Sequence, residues 1–182
     1  MRPTAVRSRN ATTVRGATVR GFNVEGRAAF TRWFELQAGV TLQQSRYKEP
    51  EFWSEDAEVP PVRRMFRTPD AYGYFTASFK PVRNFTADLS GTCTGSMLVQ
   101  HMAGSGVAQD VAVSTPSFFD MNIRLSYDVR IYKEITMQLY GGVQNLFNAY
   151  QKDFDKGVDR DSGYIYGPSL PRSWFVGAKF SF

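Results

Sequence analysis

Residue types that could carry out chemistry are scarce in this sequence. His101 is its only histidine and Cys93 its only cysteine. A histidine-rich metal site or a Ser-His-Asp triad would have to rest on one residue, and no disulfide can form within the chain. Cys93 falls on the apolar face of an alternating stretch, so we interpret it as a small strand residue. We therefore predict no catalysis, no cofactor and no resident metal.

Aspartates near the C-terminal end offer an alternative to that prediction, because carboxylate oxygens are ligands that calcium prefers. They are Asp153, Asp155, Asp159 and Asp161. Their spacing does not match the EF-hand loop, and the glutamate that closes such a loop is missing. Calcium binding is the weaker interpretation of this cluster.

The chain is basic, with a formal net charge of +5 over 182 residues. Basic surfaces attract the phosphates of nucleic acids. Here the basic residues are scattered through the chain instead of lying on one helix, and only positions 2–20 are locally basic. We therefore expect no nucleic-acid partner.

Polar and apolar residues alternate through most of the chain, which is typical of β-strands with one apolar and one polar face. In positions 119–131, apolar residues occupy the odd positions and polar residues the even ones. No run approaches the ~20 apolar residues of a membrane-spanning helix, which excludes a helical membrane protein. About seven strands are predicted, at 19–30, 34–42, 72–80, 85–99, 119–131, 135–143 and 173–182.

The connections between these strands alternate in length. Short turns are predicted at 31–33, 81–84 and 132–134. Long, polar, aromatic-rich connections are predicted at 49–68, 100–116 and 147–171. Outer-membrane barrels show this alternation, with short periplasmic turns and longer extracellular loops. Every short turn falls at the same end of the sheet if the last strand ends there.

Two environments satisfy an alternating strand: a soluble β-sandwich, whose apolar face is the core, and a membrane barrel, whose apolar face meets lipid. The predicted strands exceed the ~5–6 residues usual in globular proteins and suit the ~9–11 of a membrane strand. Aromatic residues also gather at strand ends, as in the interfacial girdle of barrels. The sequence favours a barrel, and a soluble all-β binding domain remains the alternative.

The last part of the chain carries four features in a fixed order: Asn145-Leu146-Phe147-Asn148, a Tyr- and Gly-rich loop at 159–168, Pro171-Arg172, and the ending Phe180-Ser181-Phe182. This order resembles the end of TonB-dependent outer-membrane receptors. The resemblance implies a barrel of about 22 strands with a plugged lumen. It predicts an all-β, antiparallel, up-and-down transmembrane β-barrel of which positions 16–182 form about seven C-terminal strands. Positions 1–15 are predicted to be a poorly ordered or remnant segment.

The resemblance also implies a function: import of a scarce nutrient (a ferric siderophore, cobalamin or a glycan) across the outer membrane of a Gram-negative bacterium. The implied partners are outer-membrane lipid, the plug and remaining barrel strands, the inner-membrane TonB complex and the outer-membrane insertion machinery, which would read Trp174, Phe180 and Phe182. No apolar leader follows Met1. Seven strands also cannot close a barrel and leave two strand edges unpaired, so we expect a fragment that is inactive in isolation.

Ligand contacts in such a receptor come from the long loops. Arginines could pair with an anionic chelate, and aromatic rings could stack on it. The candidates are Tyr47, Trp53, Arg63, Arg64, Tyr164 and Tyr166. The competing interpretation is that these residues pack the loops against one another or against lipopolysaccharide. A competing function is a complete eight-stranded barrel with a structural or adhesive role, which needs one more strand within positions 1–18.

Overall fold

A computed structural model describes residues 7–12 and 16–182 of the chain. They form strands and connections. The strands are β1 Arg7–Thr12, β2 Ala17–Thr31, β3 Phe34–Glu51, β4 Val62–Arg64, β5 Ala71–Val82, β6 Phe85–Thr94, β7 Leu98–His101, β8 Val111–Ser114, β9 Phe118–Tyr132, β10 Ile135–Gln144 and β11 Ser173–Ser181. These described residues contain no helix that is long and apolar enough to cross a membrane.

Eight of the strands form one sheet in the order β1-β2-β3-β5-β6-β9-β10-β11, and each is antiparallel to its neighbours. We call this sheet the strand wall. β4 pairs with the far end of β3, and β7 and β8 form a separate hairpin. Within the described residues no pairing joins β1 to β11, so the sheet is open. The predicted all-β, antiparallel, up-and-down arrangement of a partial barrel is confirmed.

The structure differs from the predicted strands in three places. An eighth strand, β1, lies within positions 1–15, for which the sequence predicts a poorly ordered or remnant segment; residues 1–6 and 13–15 lie outside the described residues. β3 continues past its predicted end at 42 to Glu51, because its polar extension still pairs with β2 and β4. The predicted strand 85–99 ends at Thr94, and the chain resumes as the hairpin strand β7.

The apolar face of the strand wall is bare. Leu139 is 45% exposed and Val176 is 90% exposed. The buried hydrophobic residues in the described part of the chain are Ala17, Val59, Val99, Val143 and Tyr164, which do not form a second layer against this face. A soluble sandwich would bury such a face between two sheets. The structure therefore contradicts the sandwich alternative.

On the polar face of the strand wall, several side chains form hydrogen bonds to one another across strands. Gln37 donates to Glu25, and the Tyr74 hydroxyl donates to the same carboxylate. Ser78 donates to Asp88 at 2.6 Å on the next pair of strands. Cross-strand polar pairs of this kind stabilise a face that lines an interior.

The strands are long enough to cross a bilayer. β9 has 15 residues. At ~3.3 Å per residue it is about 50 Å long, and at a tilt of ~40–45° it rises about 35 Å, which exceeds the ~25 Å apolar band of outer-membrane barrels. Aromatic rings meet on the apolar face near both ends: Trp33 contacts Phe79 edge-on at 5.2 Å, and Phe119 lies 5.8 Å from Phe147.

Candidate ligand-binding site

Three long connections leave the strand wall at the end opposite its short turns, as the alternation of lengths predicted. They are loop A (52–70), loop B (95–117, which contains β7 and β8) and loop C (145–172). We call them together the loop cluster. Whether these loops could bind a ligand depends on the contacts within and between them.

The base of loop C is closed by two asparagines in the left-handed region, Asn145 at φ 51° and Asn148 at φ 55°. Asparagine tolerates this region better than most residues. The Asn145 side-chain nitrogen donates to the carbonyls of Ala149 (3.0 Å) and Leu170 (2.9 Å), and its oxygen accepts from the Ala149 amide. The Asn148 oxygen accepts from the Arg172 amide at 2.9 Å. The Asn-Leu-Phe-Asn turn and the Pro-Arg dipeptide therefore hold the two ends of loop C together.

A buried histidine joins loop B to loop C. His101 Nε2 lies 2.9 and 3.0 Å from the two carboxylate oxygens of Asp155, and the side chains are only 8% and 4% exposed. The imidazole stacks on the Tyr164 ring at 3.7 Å with an interplanar angle of 7°. The hydrogen bond from His101 holds the pKa of Asp155 below its ordinary value, against the opposing effect of burial. The sequence offered no signal for this pair, whose members are 54 residues apart.

Asp153 gathers the two tyrosines of loop C. Its carboxylate accepts from the Tyr166 hydroxyl at 2.6 Å and from the Tyr164 hydroxyl at 3.0 Å. Burial alone would raise the pKa of Asp153, but these hydrogen bonds outweigh it and the pKa is lowered. Burial and the bond to Asp153 raise the pKa of Tyr164 to about 12, and the same two causes raise the pKa of Tyr166.

Gln151 fixes the backbone on which these tyrosines stand. It is fully buried. Its side-chain nitrogen donates to the Tyr164 carbonyl at 3.0 Å, and its oxygen accepts from the Tyr166 amide at 2.9 Å. A buried amide with both ends satisfied specifies one arrangement of the surrounding chain.

Loop A is tied to the other two loops by side chains. Arg67, at φ 54°, donates to the carbonyls of Ile165 and Gly163 in loop C. Asp110 of loop B accepts from the Ser54 hydroxyl at 2.6 Å, and this bond lowers the pKa of Asp110. The three loops therefore form one hydrogen-bonded body.

A polar cavity of about 360 Å³ lies below loop C on the polar face of β9 and β10. Its polar lining includes Asp120, Asn122, Gln144 and Ser173. The Oδ1 atom of Asp120 is buried and has no hydrogen-bond partner among the described residues. Sequence reasoning missed this cavity, although Asp120 and Asn122 begin the polar face of the clearest alternating strand.

The fold is similar to those of solved structures. The chain resembles the ferric-catecholate import receptor Fiu from E. coli K12 in its closed form, with a TM-score of 0.62 and 20% identity over 89% of this chain and 20% of that chain. It also resembles the siderophore receptor PiuA from Acinetobacter baumannii, with a TM-score of 0.60 and 16% identity over 91% of this chain and 22% of that one. The chain therefore has the fold of part of the barrel wall of these structures. The fold implied by the resemblance to TonB-dependent receptors is confirmed.

The chain spans about a fifth of the length of these receptors. The open form of Fiu gives a lower TM-score of 0.56, again at 20% identity over 89% of this chain and 20% of that chain. No family model and no curated protein sequence matches the chain. The likeness is therefore one of structure.

The six predicted ligand-contact residues occupy different surroundings in the structure. Tyr47 lies within β3 and not in a loop. The Trp53 indole donates to the Pro60 carbonyl, and Arg64 pairs with Asp70 at 3.0 Å. Arg63 is exposed and donates to the Lys48 carbonyl.

Only Tyr164 and Tyr166 come together, with ring centroids 5.3 Å apart. Tyr164 is 4% exposed, so it could contact a ligand only after loop C opens. The contacts of the five residues other than Tyr47 support the competing loop-packing interpretation. Their role in ligand contact stays a prediction.

Three of the four aspartates considered for calcium use their side chains for hydrogen bonds within the loop cluster. Asp153 and Asp155 bind the tyrosines and His101, and Asp161 accepts from the amides of Gly163 and Met102 at 2.8 Å each. The described residues include no group of three or more histidine, cysteine, aspartate or glutamate residues that could hold a metal ion. The structure does not support the calcium interpretation.

The predicted assembly signal, Trp174, Phe180 and Phe182, lies at the β11 edge of the strand wall. Trp174 and Phe180 stand on the apolar face of β11, opposite Val143 and Met137 of β10. Both are exposed, as is Phe182. Their recognition by insertion machinery stays a prediction.

Proposed function

We propose that the chain forms part of the barrel wall of a TonB-dependent outer-membrane receptor that imports a scarce nutrient into a Gram-negative bacterium. The observation that carries this proposal is the strand wall, whose apolar face is bare and whose polar face hydrogen-bonds to itself. A lipid environment would make that bare face stable, whereas water would penalise it. The receptor-like fold supports the same conclusion.

A ferric siderophore is the cargo class that the comparisons favour, with cobalamin and glycans as the alternatives. Fiu is a ferric-catecholate import receptor and PiuA a siderophore receptor. An anionic chelate would meet the exposed Arg63 in the loop cluster first. Asp120 in the cavity below would accept a hydrogen bond from the cargo or from a plug.

The open strand wall requires further strands. Unpaired backbone groups at β1 and β11 cannot face hydrocarbon without a large energetic cost. We infer that strands and a plug from polypeptide outside these residues close the barrel, and that the TonB complex drives transport through the plug. The chain alone is then inactive. Under iron limitation, a receptor-deficient cell that makes only this chain would not grow on a ferric catecholate, and growth would contradict this inference.

Surface labelling of intact cells tests the location and orientation. One epitope is inserted after Val158, which is 97% exposed in loop C, and a matched epitope is inserted at Arg83 in a short turn. In cells that also make the polypeptide that closes the barrel, we expect both tagged chains in the outer-membrane fraction, with antibody binding only the Val158 epitope on intact cells. Recovery in the soluble fraction, or labelling of the Arg83 epitope, would contradict the proposal.

An autonomous small barrel is the second candidate, because the strand wall has the eight strands that such a barrel needs. It would join β1 to β11. Cysteines at positions 9 and 179, which the strand register places on the same face of the sheet, would then form a disulfide in a chain with Cys93→Ala. Absence of that cross-link, beside a positive control across β10 and β11, favours the receptor segment.

A further inference from the structure

Two neighbouring short turns form a groove at the end of the strand wall opposite the loop cluster. The turn between β2 and β3 lies beside the turn between β5 and β6, because Phe34 pairs with Phe79 and the Lys80 amide donates to the Trp33 carbonyl at 2.7 Å. The groove has a volume of about 480 Å³. We call it the rim groove; its lining is Arg32, Trp33, Lys80, Pro81, Val82 and Arg83.

The charge of the rim groove is positive. Half of its lining residues are cationic and none is acidic. Glu35 on β3 lies within electrostatic range of Lys80, but its carboxylate is paired with Arg27. Among the described residues, Arg32 and Arg83 take part in no ion pair. Their charge is therefore available to an anion.

The rim groove is also bordered by the apolar face of the strand wall. Trp33 packs edge-on against Phe79, which stands on that face. Trp33 is 44% exposed and Val82 is 59% exposed. A groove with aromatic and aliphatic walls on one side and cations on the other suits the level where hydrocarbon gives way to headgroups.

We propose that the rim groove binds the phosphate of an anionic glycerophospholipid, with Arg32 and Arg83 on the phosphate and the lipid chains along Trp33 and Val82. This rests on the proposed membrane location. Arginine forms paired hydrogen bonds with phosphate oxygens, which gives specificity as well as attraction. Such a lipid would join the two turns and hold the ends of four strands in register.

Lipid titration tests the proposal on the full chain together with the polypeptide that closes its barrel, extracted in mild detergent from the outer membranes of a cell that makes both. Phosphatidylglycerol, phosphatidylcholine and inorganic phosphate are added separately, and bound molecules are counted by native mass spectrometry. We expect phosphatidylglycerol to bind more tightly than phosphatidylcholine. Arg32→Gln with Arg83→Gln raises its apparent Kd about five-fold per charge removed. Trp33→Ala weakens binding without changing the charge.

A second pair of substitutions at the remaining short turn provides the control. Arg130→Gln with Lys133→Gln removes the same charge from the same end of the sheet and should leave the Kd unchanged within about two-fold. Equal loss in both double variants, or no preference for phosphatidylglycerol, overturns the rim groove alone. Displacement of bound lipid by an equal concentration of inorganic phosphate assigns the groove to a free anion and also overturns it. If the chain is absent from the outer membranes, both the proposed function and this inference are contradicted.

Discussion

The strand wall and the loop cluster are held together by different interactions. In the wall, backbone ladders join the strands while apolar side chains such as Leu139 and Val176 remain bare. In the loop cluster, the buried side chains include polar ones, such as His101, Asn145 and Gln151, and each is hydrogen-bonded. Under the proposed function the wall depends on lipid outside the chain, whereas the loop cluster supplies its own partners.

The largest expected effect tests the dependence of the wall on lipid. Ala77 lies on the apolar face of β5 and its neighbour Thr76 on the polar face. Ala77→Lys should cost ~2–4 kcal/mol of membrane stability, because it places a charge in hydrocarbon. Thr76→Lys is the matched control and should cost much less. Urea unfolding in lipid vesicles measures both, and equal costs would contradict the assignment of the two faces.

The second effect concerns the base of loop C. Asn145→Ala removes three side-chain hydrogen bonds and leaves alanine in the left-handed region, so we expect a loss of about 3 kcal/mol in stability. Asn145→Gly removes the same bonds without the backbone strain and should cost about 1 kcal/mol less. Denaturant unfolding and proteolysis of loop C measure the difference. If the glycine variant is as stable as the native chain, the side-chain bonds are not what closes the loop.

The same contrast explains what the sequence could predict. Alternation revealed the wall because lipid on one side and a polar interior on the other impose a period of two on every strand. The signal fades where β3 continues as the polar residues Gln43, Gln44 and Ser45, so the sequence did not predict the pairing of β3 beyond position 42.

The loop cluster could not be predicted in the same way. The contact of His101 with Asp155 depends on how loops B and C dock, and no local spacing encodes docking between segments 54 residues apart. In the sequence, Asn145 and Asn148 stand out only as part of the motif that resembles the end of TonB-dependent receptors. Their physical role became visible only with their φ angles and partners.

The third effect probes the joint between loops B and C. Asp155→Asn removes the charge that His101 binds, so the amides of β7 and β8 should exchange with solvent about tenfold faster. Asp159→Asn is the control, because it is the Asp159 carbonyl that accepts from Ser105. Since the pKa of Asp155 is lowered in the folded chain, the stability it contributes is complete above the ordinary value of 3.8 and is lost as pH falls through the lowered one. Exchange that is unchanged in Asp155→Asn would place the joint elsewhere.

The smallest expected effect is a change in the titration of Tyr164. It tests whether the buried hydroxyl groups of the loop cluster are hydrogen-bonded as the geometry indicates. The pKa of Tyr164 is raised from 10.0 to about 12 by burial and by Asp153. A raised folded-state pKa means that the contribution of this hydrogen bond is complete below pH 10 and is lost as pH rises through about 12. In an absorbance titration, the ionisation of Tyr164 is a late step at high pH. Asp153→Asn should move this late step to lower pH, whereas Asp153→Glu should largely retain it because the negative charge remains. If the late step persists in Asp153→Asn, burial alone sets the pKa, and the loop cluster would then resemble an apolar core more than a polar network.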